Sequence, residues 1–284
     1  MDRKPPTPVP STREMQLPDT GGSFRLLDHP GDTPPLCALH GFSGSADDFA
    51  LVSDALGHRL LAPDLPGHGP GEQSDIAGNA SMEASARRID QALRHLGERS
   101  SVLLGYSMGG RAALSYAVRN PERVRGLVLV SASPGLADPE EAAERRDRDE
   151  TLAASIVDDG MDLFAQRWEE HPIIRSQQRI PSPHREALQS RRRSSSPAGL
   201  AASLREMGTG TMAPLWGQLD QLDFPVLVIT GEEDTRFGSI ARRMLTHLPQ
   251  ASHVVVPWAG HCCHLEQASA TAVTLRGFLR KLGA

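Results

Sequence analysis

The chain has 284 residues, a formal net charge of −5 at pH 7 and 39% hydrophobic residues. This length and composition are typical of a globular protein with a sizeable core, and α/β folds of this size often form one unit. Basic residues do not outnumber acidic ones, which argues against a nucleic-acid partner. No apolar run is long enough to span a membrane. The three cysteines do not form a disulfide framework, and the first residues lack the apolar stretch of a secretory signal peptide. We therefore expect the protein to be cytoplasmic.

Short apolar runs alternate with helical stretches along most of the chain. Residues 1–14 are predicted to be a disordered Pro/Thr-rich lead, followed by a weak strand at Phe24–Asp28. Further strands are predicted at Leu36–His40, Arg59–Pro63, Val102–Tyr106, Leu127–Ala132, Val226–Thr230 and Val254–Pro257. Helices are predicted at Ala46–Leu56, Met82–Gly97, Met108–Asn120, Phe237–Leu248 and Glu266–Leu282. The alternation predicts an α/β protein with a mostly parallel, doubly wound sheet.

One segment interrupts this alternation. Residues 136–212 contain no strand-like run, are rich in Arg, Asp and Glu, and have breaks at Ile180–Pro183 and Ser194–Pro197. We interpret the segment as a helical cap of several amphipathic helices. The predicted core then consists of residues 15–135 and 213–284.

The segment Gly105-Tyr106-Ser107-Met108-Gly109 carries the strongest chemical signal. It matches G-x-S-x-G, follows a predicted strand and precedes a predicted helix, which is the context of a nucleophile elbow. Small residues allow the sharp turn that exposes the serine, and the helix N-terminus favours developing negative charge. The alternative is an ordinary N-cap serine. We predict that Ser107 is the nucleophile or base.

A second turn, His40-Gly41-Phe42, ends the first strong strand. An oxyanion hole needs two backbone N–H groups that point at one position. We predict that these come from Phe42 and Met108, and that His40 and Gly41 contact the substrate. The alternative is a simple glycine turn.

Two further polar residues follow predicted strands and complete a triad. Asp234 and His261 come after the strands that begin at residues 226 and 254, so they lie at the sheet edge that carries Ser107. The order Ser, Asp, His is that of the G-x-S-x-G hydrolases. Glu232 and Glu233 compete with Asp234, and His264 competes with His261. We interpret all three competitors as loop or structural residues.

The cluster His261-Cys262-Cys263-His264 also raises the question of a metal site. Compact zinc sites use spacings such as C-x₂-C or H-x₃-H, which this run of adjacent residues does not match. We predict neither a metal nor an organic cofactor.

Four stretches resemble a known family. They are GYSMGGRAALSYAVRNPERVRGLVLVSASPGL at 105–136, EEAAERRDRDETLA, SPAGLAASLREMGTG and HGFSGSADDF. The triad and its order resemble the α/β-hydrolase superfamily over nearly the whole chain. The four stretches are similar to the 2-succinyl-6-hydroxy-2,4-cyclohexadiene-1-carboxylate synthases of menaquinone biosynthesis. The resemblance implies the α/β-hydrolase fold with an inserted cap.

The resemblance also implies an elimination in place of a hydrolysis. Such an enzyme removes pyruvate from 2-succinyl-5-enolpyruvyl-6-hydroxy-3-cyclohexene-1-carboxylate, with the serine activated by His and Asp acting as base. A small polycarboxylate needs cations, and the matching positions are Arg111, Arg145 and Arg192, with Tyr106 and Trp168 also in the site. A register slip would replace two of these arginines by neighbours, namely Arg146 or Arg148 and Arg191 or Arg193.

Other readings stay open at this point. Each cap arginine, taken alone, is typical of a solvated helix face, and Trp168 is typical of a cap core. A carboxylic-ester or C–C bond serine hydrolase would use the same triad with an apolar acyl pocket. A non-enzymatic binding protein of this fold is disfavoured by the intact triad. The sequence is compatible with a monomer or a homo-oligomer.

Overall fold

An eight-stranded sheet forms the centre of the protein in the computed structural model, which describes residues 10–17, 22–69 and 80–283. The strands are β1 (Ser11–Gln16), β2 (Ser23–His29), β3 (Asp32–Leu39), β4 (His58–Pro63), β5 (Ser101–Tyr106), β6 (Val124–Val130), β7 (Val226–Gly231) and β8 (Ala251–Val256). Their order is β1-β2-β4-β3-β5-β6-β7-β8. The pairs β1–β2 and β2–β4 are antiparallel and the other pairs are parallel.

Helices cover both faces of the sheet, which explains why the central strands are apolar throughout. The helices are α1 (Ala50–Leu56), α2 (Met82–Leu96), α3 (Met108–Arg119), α4 (Pro139–Glu169), α5 (Ser182–Arg193), α6 (Pro197–Met207), α7 (Thr235–Leu245), α8 (Cys263–Glu266) and α9 (Ala268–Lys281). One core packs α2, α3 and α7 against the sheet, and the other packs α1 and α9 against its opposite face. Strands such as β5 and β7 are buried along their whole length as a result.

The predicted strands and core helices are confirmed, with ends that shift by a few residues. Two predicted helices are divided: Ala46–Phe49 is a short 3₁₀ turn before α1, and Gln267 separates α8 from α9. These breaks fall inside apolar patterns, where periodicity alone does not reveal a change of helix type.

The first strand corrects one prediction. Residues 11–14, which the sequence placed in a disordered lead, belong to β1, and β1 pairs with β2 over six residues from Ser11–Asp28 to Gln16–Ser23. The strand lies at the sheet edge and is mostly exposed, so backbone hydrogen bonds stabilise it, and all of its side chains except Met15 are polar. A hydrophobic pattern therefore had no signal to detect. Residues 1–9 lie outside the described residues.

Three long helices follow β6 and precede β7, in the segment that the sequence predicted as a cap. Helix α4 contains Gly160 at a positive φ of 79°, which breaks its helical geometry. Helices α5 and α6 begin within the two predicted interruptions, at Ser182 and Pro197. A separate small core joins α4 to α6, with Ile156, Phe164 and Leu200 among its members. Helices α4, α5 and α6 lie over the carboxyl ends of the central strands. Within the described ranges, no helix has the length and apolar character needed to cross a membrane.

Candidate active site

Ser107 occupies the sharp turn between β5 and α3. Its backbone has φ 49° and ψ −109°, a strained conformation that a non-glycine residue rarely adopts. The turn is possible because glycines surround it: a Cβ at Gly105 would lie 2.5 Å from the Gly109 carbonyl oxygen. The serine hydroxyl consequently projects from the sheet edge at the N-terminus of α3.

Ser107, His261 and Asp234 form a continuous hydrogen-bonded chain. His261 Nε2 lies 3.0 Å from Ser107 Oγ, and His261 Nδ1 lies 2.7 Å from Asp234 Oδ2. Asp234 also caps α7, since its Oδ1 accepts a hydrogen bond from the Phe237 N–H at 3.4 Å. A carboxylate on Nδ1 holds the proton there and leaves Nε2 free to accept the serine proton. The geometry suits an activated serine.

The rival acids and the rival histidine serve other contacts. Glu232 accepts from the Trp258 N–H, and Glu233 pairs with Arg179 at 2.7 Å. His264 is buried against Tyr106 with ring centroids 4.4 Å apart, and burial lowers its pKa to about 3. None of the three is hydrogen-bonded to the triad.

The predicted oxyanion hole lies beside Ser107. Neither the Phe42 N–H nor the Met108 N–H has an acceptor among the described residues, and the first N–H groups of a helix have no partner within it. Gly41 brings the neighbouring loop close, because a Cβ there would meet the Tyr106 ring at 2.6 Å and lie 3.6 Å from Ser107 Cβ. Phe42, Gly41, Tyr106 and Met108 all line the cavity above the serine.

The position of His40 corrects the substrate contact predicted for it. His40 is fully buried and does not line the cavity. Its Nε2 accepts from the Leu65 N–H at 2.9 Å, which leaves Nδ1 to donate to the Gly41 carbonyl oxygen at 2.8 Å. Both ring nitrogens thus hold backbone in place, and burial lowers the pKa of the ring. His40 shapes the Gly41–Phe42 loop from behind.

Ser107 and His261 face a cavity of about 110 Å³, measured as the space open to the centre of a water molecule. That is several times the roughly 10–15 Å³ that one water needs, so the space suits an organic ligand. Residues from the sheet edge and from α4, α5 and α6 line it together. Trp168 contributes an indole face that packs edge-on against Phe42, with ring centroids 5.4 Å apart.

Arg111, Arg145 and Arg192 all line this cavity. Arg111 is buried, and its Nη2 donates to the Met207 carbonyl oxygen at 2.8 Å at the end of α6. Burial and the like charge of Arg145 lower the pKa of Arg111 to about 10, while Asp149 opposes that shift. Arg145 donates from Nε to Asp149 Oδ1 at 2.9 Å.

Arg192 is the most deeply buried of the three cations. Its Nε donates to Ser43 Oγ at 3.1 Å and its Nη2 to Gln177 Oε1 at 3.4 Å. Its Nη1 is buried without a hydrogen-bond partner among the described residues. Burial lowers the pKa of Arg192, opposed by the negative charge of Asp48. A buried cation with neutral hydrogen-bond partners favours the approach of an anion.

The structure separates the arginines that the sequence left in doubt. Arg146 donates to the Gly210 carbonyl oxygen, Arg148 lies on the exposed face near Glu144, and Arg191 pairs with Asp48 at 3.0 Å. Arg193 is half exposed, 3.9 Å from Asp162. None of these four lines the cavity with Ser107, although Arg148 lines an outer mouth that Arg145 and Trp168 share.

Sequence reasoning missed several polar residues of the cavity, notably Asp48, Asp149 and Gln177. Asp149 had a usable signal, because it lies four residues after Arg145 and this spacing puts the two on one helix face. Gln177 lies in a short 3₁₀ turn with no pattern that marks it. Among the described residues, no group of three or more metal-ligating side chains is close enough to hold an ion.

Comparison with known proteins fits this architecture. Residues 34–268 match the family model described as the alpha/beta hydrolase fold. The chain belongs to the α/β-hydrolase family. This membership confirms the predicted superfamily, and the mostly parallel sheet confirms the predicted fold class.

Individual relatives and solved structures show which members of the family this chain is similar to. A Bacillus subtilis (strain 168) protein, provisionally named a 2-succinyl-6-hydroxy-2,4-cyclohexadiene-1-carboxylate synthase, is 37% identical over 87% of this chain and 91% of its own length. A Klebsiella pneumoniae protein with that synthase name is 30% identical over 87% of this chain and 94% of its own length. The structure of MenH from S. aureus matches with a TM-score of 0.85 and 30% identity, over 91% of this chain and 99% of the MenH chain. A Thermogutta terrifontis esterase has a TM-score of 0.82 and 28% identity, with 96% and 100% covered.

Proposed function

We propose that this chain is a lyase of menaquinone biosynthesis. It eliminates pyruvate from 2-succinyl-5-enolpyruvyl-6-hydroxy-3-cyclohexene-1-carboxylate and forms 2-succinyl-6-hydroxy-2,4-cyclohexadiene-1-carboxylate. The observation that carries the proposal is one cavity that joins a hydrogen-bonded Ser–His–Asp chain to three arginine side chains. The synthase names of relatives at 30–37% identity support it.

The triad supplies a base for this reaction. His261 takes the hydroxyl proton of Ser107 while Ser107 Oγ removes the substrate proton α to the succinyl ketone. The electron pair of that C–H bond moves toward the ketone oxygen, where the N–H groups of Phe42 and Met108 stabilise the enolate. The electron pair then forms the C2–C3 double bond, the existing C3–C4 double bond shifts to C4–C5, and the C5–O bond to the enolpyruvyl group breaks. The protonated His261 gives its proton to the leaving group, which is released as pyruvate.

The arginines suit the charge of the substrate. The precursor carries three carboxylates, and guanidinium groups bind carboxylates through two parallel hydrogen bonds. Arg192 and Arg111 are buried beside the serine, and Arg145 lies where the inner cavity meets its outer mouth. Ion pairs between these buried guanidinium groups and a carboxylate are stronger than the same pairs in bulk water, because the effective dielectric constant is lower.

The direct test measures pyruvate release from the authentic precursor above the spontaneous background. We expect Ser107→Ala to reduce kcat by about 100-fold or more, the usual contribution of a positioned base. Ser239→Ala, an exposed serine of α7, is the matched control and should keep wild-type activity. Release at the background rate by the wild-type protein would refute the proposal.

A carboxylic-ester hydrolase is the second candidate, and the likeness to the Thermogutta terrifontis esterase favours it. That reaction needs the same triad but no arginine in the acyl pocket. Rapid release of nitrophenol from simple esters, unaffected by Arg111→Ala, together with no pyruvate release, would favour the hydrolase.

A further inference from the structure

Asp149 and Asp48 are two buried acids in a cavity whose three arginines suit an anion, and Asp48 is paired with Arg191 outside the cavity lining. Asp149 lies on α4 beside the end of α6, and it lines the cavity with Arg111 and Arg145. Its side chain has only 7% of its surface exposed. A carboxylate here repels a polyanionic ligand, so its presence needs a physical reason.

The contacts of Asp149 fix its position. Oδ1 accepts from Arg145 Nε at 2.9 Å, and Oδ2 is buried without a partner among the described residues. Gly208 packs against this second oxygen, since a Cβ at 208 would lie 2.6 Å from it. The Asp149 side chain is therefore packed against the end of α6 and hydrogen-bonded to Arg145.

The same contact determines which edge of Arg145 is available. Its Nε is used by Asp149, while Nη1 and Nη2 have no partner among the described residues. These two groups form a fork that matches a carboxylate in bidentate geometry. Without Asp149, the long Arg145 side chain would have many rotamers and no anchor.

Asp149 also balances two like charges. Arg111 and Arg145 line the same wall of the cavity, and the charge of Arg145 disfavours the charged form of Arg111 while Asp149 favours it. The negative charge of Asp149 therefore partly offsets the repulsion between two cations that line one cavity.

We infer that Asp149 is a positioning residue, which holds the Nε of Arg145 and presents the Nη edge of Arg145 to a substrate carboxylate. The inference rests on the proposed function, whose substrate is a polycarboxylate. The inference predicts that loss of the Asp149 charge weakens substrate binding, whereas charge repulsion alone predicts tighter binding. Removal of a negative charge from the cavity should tighten anion binding, whereas loss of a positioning contact should weaken it.

The test is the nearly isosteric Asp149→Asn variant, assayed for pyruvate release. We expect KM to rise about tenfold, roughly the value of one charge-assisted hydrogen bond, with kcat changed less than twofold. Glu150→Gln is the matched control, because the neighbouring Glu150 pairs with Arg205 at 2.7 Å on the exposed face. The control should keep the wild-type KM. An unchanged or lower KM in Asp149→Asn would overturn the inference.

A double-mutant cycle identifies the route of the effect. If Asp149 acts through Arg145, Asp149→Asn should raise KM less than twofold in an Arg145→Ala background. Additive effects of the two changes would overturn the inference. Thermal unfolding of each variant checks that a KM effect comes from a folded protein.

Succinate binding, measured by calorimetry, separates this inference from the proposed function. We expect succinate to bind wild type and to bind Asp149→Asn about tenfold more weakly. Equal or tighter binding by the variant, or no binding by wild type, overturns the inference. The proposed function fails on a different result, the absence of pyruvate release by the wild-type protein.

Discussion

At the residue scale, two of the three cations that line the cavity, Arg111 and Arg192, are held by neutral groups. Arg192 is the main example: Ser43 and Gln177 orient it, and one of its terminal nitrogens has no partner within the described residues. A salt-bridged arginine would have less attraction left for a ligand. The desolvation of Arg192 is consistent with a site that is completed by an anion.

We predict that Arg192→Lys raises KM for the polycarboxylate about tenfold or more. Lysine lacks the planar fork that reaches Ser43 and Gln177 while it contacts a ligand. Arg193→Lys is the matched control, since Arg193 is half exposed and does not line the cavity. Steady-state kinetics on both variants measures the difference, and equal KM values in the two variants would contradict the proposed role of Arg192.

At the element scale, the site depends on the close approach of α3 to the end of β3. A Cβ at Gly109 would lie 2.2 Å from the Leu39 carbonyl oxygen and 2.4 Å from that of His40. Glycine therefore lets the N-terminus of α3 lie directly beside the loop that carries Phe42. The approach brings the two predicted oxyanion donors to one place.

We predict that Gly109→Ala destabilises the protein by about 1–3 kcal/mol, as overpacking does, and also reduces kcat by misplacing Met108. Gly238→Ala in α7 is the control, because the nearest atom to its added Cβ is 3.8 Å away. That change should be neutral or stabilise the protein by about 0.4–1 kcal/mol through the unfolded chain. Urea unfolding would count against this account if the two variants had equal midpoints.

At the scale of the whole molecule, buried histidines link stability to pH. His29, His40, His68 and His264 are buried, and burial lowers the pKa of each below its usual value of 6.5. The unfolded chain binds protons at these groups at a higher pH than the folded protein does. Stability is therefore complete above about pH 6.5 and is lost as the pH falls.

We predict a lower free energy of unfolding at pH 5 than at pH 7. His264, with a pKa of about 3, should account for about 2 kcal/mol of this loss. His264→Gln should reduce the pH dependence by that amount, while His184→Gln, at an exposed position of α5, should leave it unchanged. Urea unfolding at pH 5 and at pH 7 measures the free energy of unfolding of each variant. Equal stability of the wild-type protein at the two pH values would contradict the prediction.

Seven of the eight described strands, the core helices and the family could be predicted from the amino-acid sequence. Buried parallel strands are continuous apolar runs, and G-x-S-x-G between a strand and a helix has one common structural context, so both are visible in one dimension. The order of Ser107, Asp234 and His261 at strand ends also follows from the chain alone. Strand β1 was missed because an exposed edge strand has no apolar pattern.

The tertiary structure decided what depends on the rotation and seating of helices. Which of Arg145, Arg146 and Arg148 reaches the cavity depends on how α4 packs on α6, and the choice between Arg191 and Arg192 depends on the seating of α5. His40 does not face the cavity because one ring nitrogen binds the backbone of the adjacent Gly41 and the other binds the backbone of Leu65, 25 residues away along the chain. The partnership of Asp149 with Arg145 and the end of α6 likewise arises from packing, since a mixed-charge run looks the same in sequence whether it faces solvent or a ligand.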